Sequence, residues 1–81
     1  MAERFRWILD TVPDWWKSLE GVQINVASTI AAIPNCPLIH PGDWVIREPD
    51  GRVCMEPNYE GRIEAQRYLQ NLKHEVSTSA K

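Results

Sequence analysis

Few residues in this 81-residue chain could carry metal or nucleophile chemistry: Cys36, His40, Cys54 and His74. Zinc sites draw their ligands from paired spacings such as Cys-x2-Cys, which hold two donors on one turn of chain. Here Cys36 and His40 make one Cys-x3-His step and the other two stand alone, so the spacing predicts no metal site. Cys36, His40 and Asp43 also follow one another as a thiol, a base and an orienting acid could. Their loop is studded with proline, however, and offers no evident oxyanion donor. Glu56 and Glu60 flank an expected helix start, where carboxylates suit the helix dipole without any catalytic role. The four glycines are scattered and form no phosphate-cradling loop. The chain therefore reads as non-enzymatic, with no cofactor. Both cysteines read as free, packed thiols in a reducing cytosol.

Tryptophan carries more information. Trp7, Trp15 and Trp16 fall within ten residues and Trp44 follows later. Trp15 and Trp44 read as core-filling rings. Adjacent residues on a helix point about 100° apart, so Trp15 and Trp16 cannot both centre one buried face. Trp7 falls off the stripe set by Phe5 and Leu9. At least one of Trp7 and Trp16 is thus expected to be part-exposed, as an interface anchor would be. Arg47 and Arg52, on either side of a turn, complete the expected partner-binding set of Trp7, Trp16, Arg47 and Arg52.

The elements that would position these residues can be read in turn. Ala2 to Asp10 has apolar residues at helical intervals and is expected to form a short amphipathic helix ending before Pro13. Thr11 and Pro13 then open a second helix. Trp15, Leu19, Val22, Val26, Ile30 and Ile33 recur at steps of three and four residues, which predicts one helix from about Val12 to Ile33 with Gly21 as its break point. Val22, Ile24 and Val26 also alternate with polar neighbours, so a short strand after Gly21 competes. Residues 34 to 42 read as a proline-rich crossing loop. Trp44 to Glu48 and Arg52 to Glu56, joined by Pro49-Asp50-Gly51, predict a β-hairpin. Trp44 and Ile46 would share one of its faces and Val45 and Arg47 the other. Asn58 would cap a last helix to about Glu75, with Ala65, Tyr68, Leu69, Leu72 and Val76 as its buried stripe. The expected fold is α+β, one domain over residues 1–76 with N-terminal helices, a central two-stranded hairpin and a C-terminal helix. Residues 77–81 would be a frayed tail.

Composition narrows the function further. Nine Lys and Arg against eleven Asp and Glu give a net charge of -2, and the sequence pI is near 5.6. Proteins that grip phosphate backbones usually show a basic excess. Arg4, Arg6, Arg47, Arg52, Arg62 and Arg67 could still serve a nucleic-acid-binding factor, although acidic residues interleave with them. No apolar run approaches the ~20 residues of a membrane span, and MAERFRWILD does not read as a signal peptide, so a cytoplasmic protein is expected.

Residues 41–57, with Pro41-Gly42-Asp43-Trp44-Val45-Ile46, Asp50-Gly51 and Glu56-Pro57, resemble a hairpin element of small phage and prophage proteins. The resemblance implies a virus-encoded accessory protein that occupies a surface on a host protein or defence complex without catalysis. The resulting expectation is a non-enzymatic protein-binding module, a phage inhibitor or modulator of a host protein. A second copy of the chain is a further candidate partner, because a lone two-stranded hairpin is marginal and gains from edge pairing. The alternative is a small nucleic-acid-binding accessory factor.

Overall fold

The computed structural model describes residues 2–79, with side-chain surroundings through Leu72. In chain order the elements are β1 (Glu3–Arg6), α1 (Asp14–Lys17), β2 (Gln23–Ile24), β3 (Ala31–Ala32), β4 (Trp44–Arg47), β5 (Val53–Glu56) and α2 (Tyr59–Ser79). The class is α+β, but strands dominate the N-terminal half.

The predicted hairpin is present as β4 and β5, with Trp44 opposite Glu56 and Ile46 opposite Cys54. The Glu48 N–H donates to the Arg52 carbonyl at 2.8 Å and the Gly51 N–H to the Glu48 carbonyl at 2.9 Å, closing the Pro49-Asp50-Gly51 turn. A third strand lies on its other side. β1 pairs antiparallel with β4, Phe5 facing Val45 and Arg6 facing Trp44, so the sheet order is β1-β4-β5. The chain itself thus supplies the edge partner that a two-stranded hairpin needs.

The expected first helix, Ala2 to Asp10, is therefore replaced by a strand over Glu3–Arg6 and a turn over residues 7–10. Alternation explains it: Phe5 and Trp7 are buried while Arg4 is exposed and Arg6 only half-buried, the two-residue period of a half-buried strand. The four-residue segment fits both periods, and pairing with β4 decides between them. Beyond the strand the Trp7 N–H donates to the Asp43 carbonyl (2.9 Å) and the Gly42 N–H to the Trp7 carbonyl (2.8 Å).

The expected helix from 12 to 33 is also overturned. Helix survives only as the single turn α1, and the competing strand reading holds further on, where β2 pairs with β3. α1 ends at Lys17 with Ser18 as its C-cap, and Gly21 beyond it adopts φ 81, a left-handed conformation that glycine takes without strain and that no continuous helix contains. Asn25 then folds the chain back, its side-chain oxygen accepting from the N–H groups of Ala27 (3.0 Å) and Ser28 (3.2 Å). Ile39 adds an isolated antiparallel bridge to Ala31 of β3.

Phe5, Trp7, Trp16, Ala31, Ile33, Ile39 and Val45 form the core between the sheet and this folded-back segment. Trp16 meets Phe5 edge-on at 5.5 Å between ring centroids, a favoured aromatic geometry, and Trp7 at a tilt of 47° and 5.3 Å. The Trp7 indole N–H donates to the Thr29 carbonyl at 2.7 Å. Among the described residues of α2, Gly61 and Ala65 in its first turns are the buried ones. Of the expected frayed tail at 77–81, residues 80–81 lie outside the described residues, and α2 itself runs to Ser79.

Candidate functional site

Three groups of residues were candidates for chemistry or contact, and the fold redistributes all of them. The first is the loop expected to hold Cys36, His40 and Asp43 in sequence. Asp43 is wholly buried and its carboxylate is fully occupied. It accepts from the Arg62 Nε (2.6 Å) and Nη2 (3.0 Å), from the Asn58 N–H (3.1 Å) and from the His40 N–H (3.0 Å). Burial pushes the carboxyl up, but the Arg62 guanidinium and the two backbone N–H groups outweigh it and hold it below the ordinary 3.8. The His40 Nδ1 stands 3.7 Å from Asp43, beyond hydrogen-bond reach. Cys36 pairs instead with Cys54, sulfur to sulfur at 3.6 Å. No nucleophile–base–acid relay is assembled among these three.

Asp43 is instead the peg that fixes α2 to the sheet. The Gly61 N–H donates to the Asn58 side-chain oxygen (3.2 Å), as in an N-cap, while the Asn58 amide donates to the Gly42 carbonyl (3.1 Å). A Cβ on either Gly42 or Gly61 would overlap the other's backbone. Pro41-Gly42-Asp43 and Asn58-Tyr59-Glu60-Gly61-Arg62 thus form one interlocked joint. Arg62 is drawn into it from α2, and the sequence signal was the pair of glycines at its two halves. His74 lies among residues whose side chains are not described. No group of three or more metal-ligating side chains occurs among the described residues.

The second group is the expected contact set. Trp7 and Trp16 are 6 % and 5 % exposed, so the expectation that one of them stands part-exposed is overturned. That expectation rested on helical spacing. In a strand Phe5 and Trp7 share the inner face, and α1 is too short to fix two ring positions by helical periodicity. Trp15 and Trp44, expected in the core, are only partly buried. Arg47 lies over the Trp15 ring at 5.7 Å and Arg4 over Trp44 at 4.6 Å. Arg52 is exposed and paired with Asp50 at 2.7 Å. The fold brings Arg47 and Arg52 to the same hairpin but does not join them to Trp7 or Trp16 in one surface.

The third group was missed. Gly61 and Ala65 are buried under α2, and Tyr68 and Leu72 continue their line at helical spacing. Expected as buried, Tyr68 and Leu72 are 46 % and 40 % exposed, because the helix runs past the sheet; the Val76 side chain lies outside the described residues. At ~1.5 Å per residue the fourteen positions after Ala65 extend about 21 Å, in keeping with a molecule of 49 × 25 × 20 Å. Beside the stripe an open cleft of about 540 Å³ lies between α2 and the outer face of the sheet, lined by Arg6, Trp44, Ile63 and Arg67 among others. Arg6 bridges it, bound to Asp10 (3.0 Å) and Glu64 (2.9 Å). No helix among the described residues is long and apolar enough to cross a membrane.

Comparison with protein-family models, with the curated proteins and with the solved structures finds no match to this chain.

Proposed function

We propose that the chain is a non-enzymatic protein-binding module, phage-encoded and acting on a protein of the host, as the likeness at residues 41–57 implies. The observation that carries the reading is the apolar stripe of α2: Tyr68 and Leu72 lie in line with the buried Ala65 yet stand open to solvent. An amphipathic helix with such a stripe suits an apolar groove on another protein, entered by residues three and four apart. At 100° per residue Glu64 and Asn71 flank the stripe on one side and Leu69 on the other, so the matching groove would have one polar edge. This reading moves the contact surface from Trp7 and Trp16 to α2 and leaves Arg47 and Arg52 as contributors from the hairpin.

The alternative, a nucleic-acid-binding factor, draws less support. Arg6, Arg52 and Arg62 are held in ion pairs, and Arg4 and Arg47 lie over tryptophan rings, so of the six arginines that could serve phosphates Arg67 alone, among the described residues, has neither kind of contact. Capture of partners from bacterial lysate by the tagged chain, with and without nuclease, tests both. A host protein retained after nuclease, insensitive to moderate salt and lost with Tyr68→Ser/Leu72→Ser, supports the reading. Recovery that disappears with nuclease and falls steeply with salt overturns it.

A further inference from the structure

The two cysteines, separated by 18 positions in sequence, meet in space at 3.6 Å between sulfurs. Cys54 is exposed on the edge strand β5, and Cys36 is half-buried in the crossing loop that runs beside it. A disulfide requires about 2.0 Å between sulfurs, so the two sulfurs need approach by only about 1.6 Å. We propose that Cys36 and Cys54 are a thiol–disulfide exchange site, in which a low-molecular-weight disulfide of the glutathione class converts the pair to an intramolecular bridge that ties the crossing loop to β5.

The exchange runs in two displacements. The exposed Cys54 thiolate attacks one sulfur of the small disulfide, forming a mixed disulfide and releasing one small thiolate. The Cys36 sulfur, already in contact, attacks the Cys54 sulfur, forming the protein bridge and expelling the second small thiolate. The two protein thiols lose two electrons and two protons, and the small disulfide gains both to become two thiols. Exposure gives Cys54 the first step, because the reagent must reach the attacking sulfur. Cys36 is suited to the second, since a sulfur that is buried against Cys54 meets that sulfur before any other disulfide. Burial, and then the neighbouring Cys54 sulfur, push the Cys36 thiol up to about 11, so bridge closure accelerates as pH rises.

The bridge would close a loop of modest length and so restrict the unfolded chain more than the folded one. For a domain of this size the expected rise in Tm is roughly 10–20 °C.

The test treats the folded full chain with oxidised glutathione and follows intact mass, free thiols and thermal melting. The expected product is a monomer lacking two hydrogens, carrying no adduct and no titratable thiol, with a Tm that returns to the starting value on reduction. Cys36→Ser should stop at a stable glutathione adduct on Cys54, and Cys54→Ser should react far more slowly; neither should show the reversible rise in Tm. Two persistent thiols, a chain carrying two adducts, or a disulfide-linked dimer would each overturn the proposal.

Discussion

Asp43 shows how one side chain can decide whether two halves of a small fold stay joined. A buried carboxylate is costly unless its charge is met, and here a guanidinium and two backbone N–H groups meet it. Asp43→Asn keeps the shape but removes the charge that holds Arg62, whose side chain is 29 % exposed. The expected loss is about 3 kcal/mol, or roughly 12–24 °C in Tm by thermal melting. The pH dependence has a definite sign. Because the folded carboxyl titrates below 3.8, the unfolded chain binds its proton first as the solution is acidified. The stabilisation is thus complete above about pH 4 and is lost as pH falls through the lower, folded value. Asp10 acts in the same direction, held low by its bond to Arg6. Urea midpoints of the wild-type chain should therefore fall between pH 4 and 2, and those of Asp43→Asn should fall less. Trp16→Ala belongs to a different class of change: it empties the centre of an aromatic cluster and should cost about 3–5 kcal/mol, most of the stability of so small a domain. A melt that left Trp16→Ala near wild type would contradict the core position of that ring.

The joint between β4 and α2 depends on close backbone approach. Gly42→Ala or Gly61→Ala should lower Tm far more than Gly51→Ala, since a Cβ at Gly51 meets nothing within 4 Å and only its left-handed backbone (φ 94) resists the change, at about 1 kcal/mol. Equal losses at all three positions would refute the close approach. The same joint shows what could be read in the sequence. Pro49-Asp50-Gly51 states its turn locally, and the β4–β5 hairpin follows from it, but not which face turns inward: Trp44 was expected in the core, and it is Val45 on the opposite face that is buried. β1 was not legible in this way. Arg4-Phe5-Arg6-Trp7 satisfies helical and strand spacing alike, and only β4, some forty residues away, selects the strand. The 22–33 segment held two periodicities at once, and Gly21 with the Asn25 turn settled it. The error at Trp7 and Trp16 followed from these elements: a wrong period puts the right residues on the wrong face. Asp43 and Arg62 were visible as charges, but nothing local pairs residues nineteen apart.

At the scale of the whole molecule, the body is made self-sufficient by β1 and by the aromatic cluster, whereas Tyr68 and Leu72 of α2 stand open to solvent. Isolated helical turns are marginal in water, and most helical stability comes from packing. Backbone amides of residues 66–72 should accordingly exchange with solvent much faster than those of Val45 or Ile39 in the free chain, and become protected when a partner covers the stripe. Tyr68→Ser/Leu72→Ser removes two half-exposed side chains that contribute little to the body, so its Tm should stay within a few degrees of wild type. Its effect should appear in binding. Loss of an aromatic and an aliphatic anchor from the centre of an interface is worth about 2–4 kcal/mol, roughly 30- to 1,000-fold in Kd by titration calorimetry. Sedimentation of the free chain over a range of concentrations identifies the occupant. A concentration-dependent dimer that the double substitution dissolves would make the second copy, rather than a host protein, the body that covers α2. A monomer at every concentration leaves the stripe open for another chain. A variant that kept full affinity for a captured host protein would place the contact away from α2, at the hairpin that carries Arg47 and Arg52.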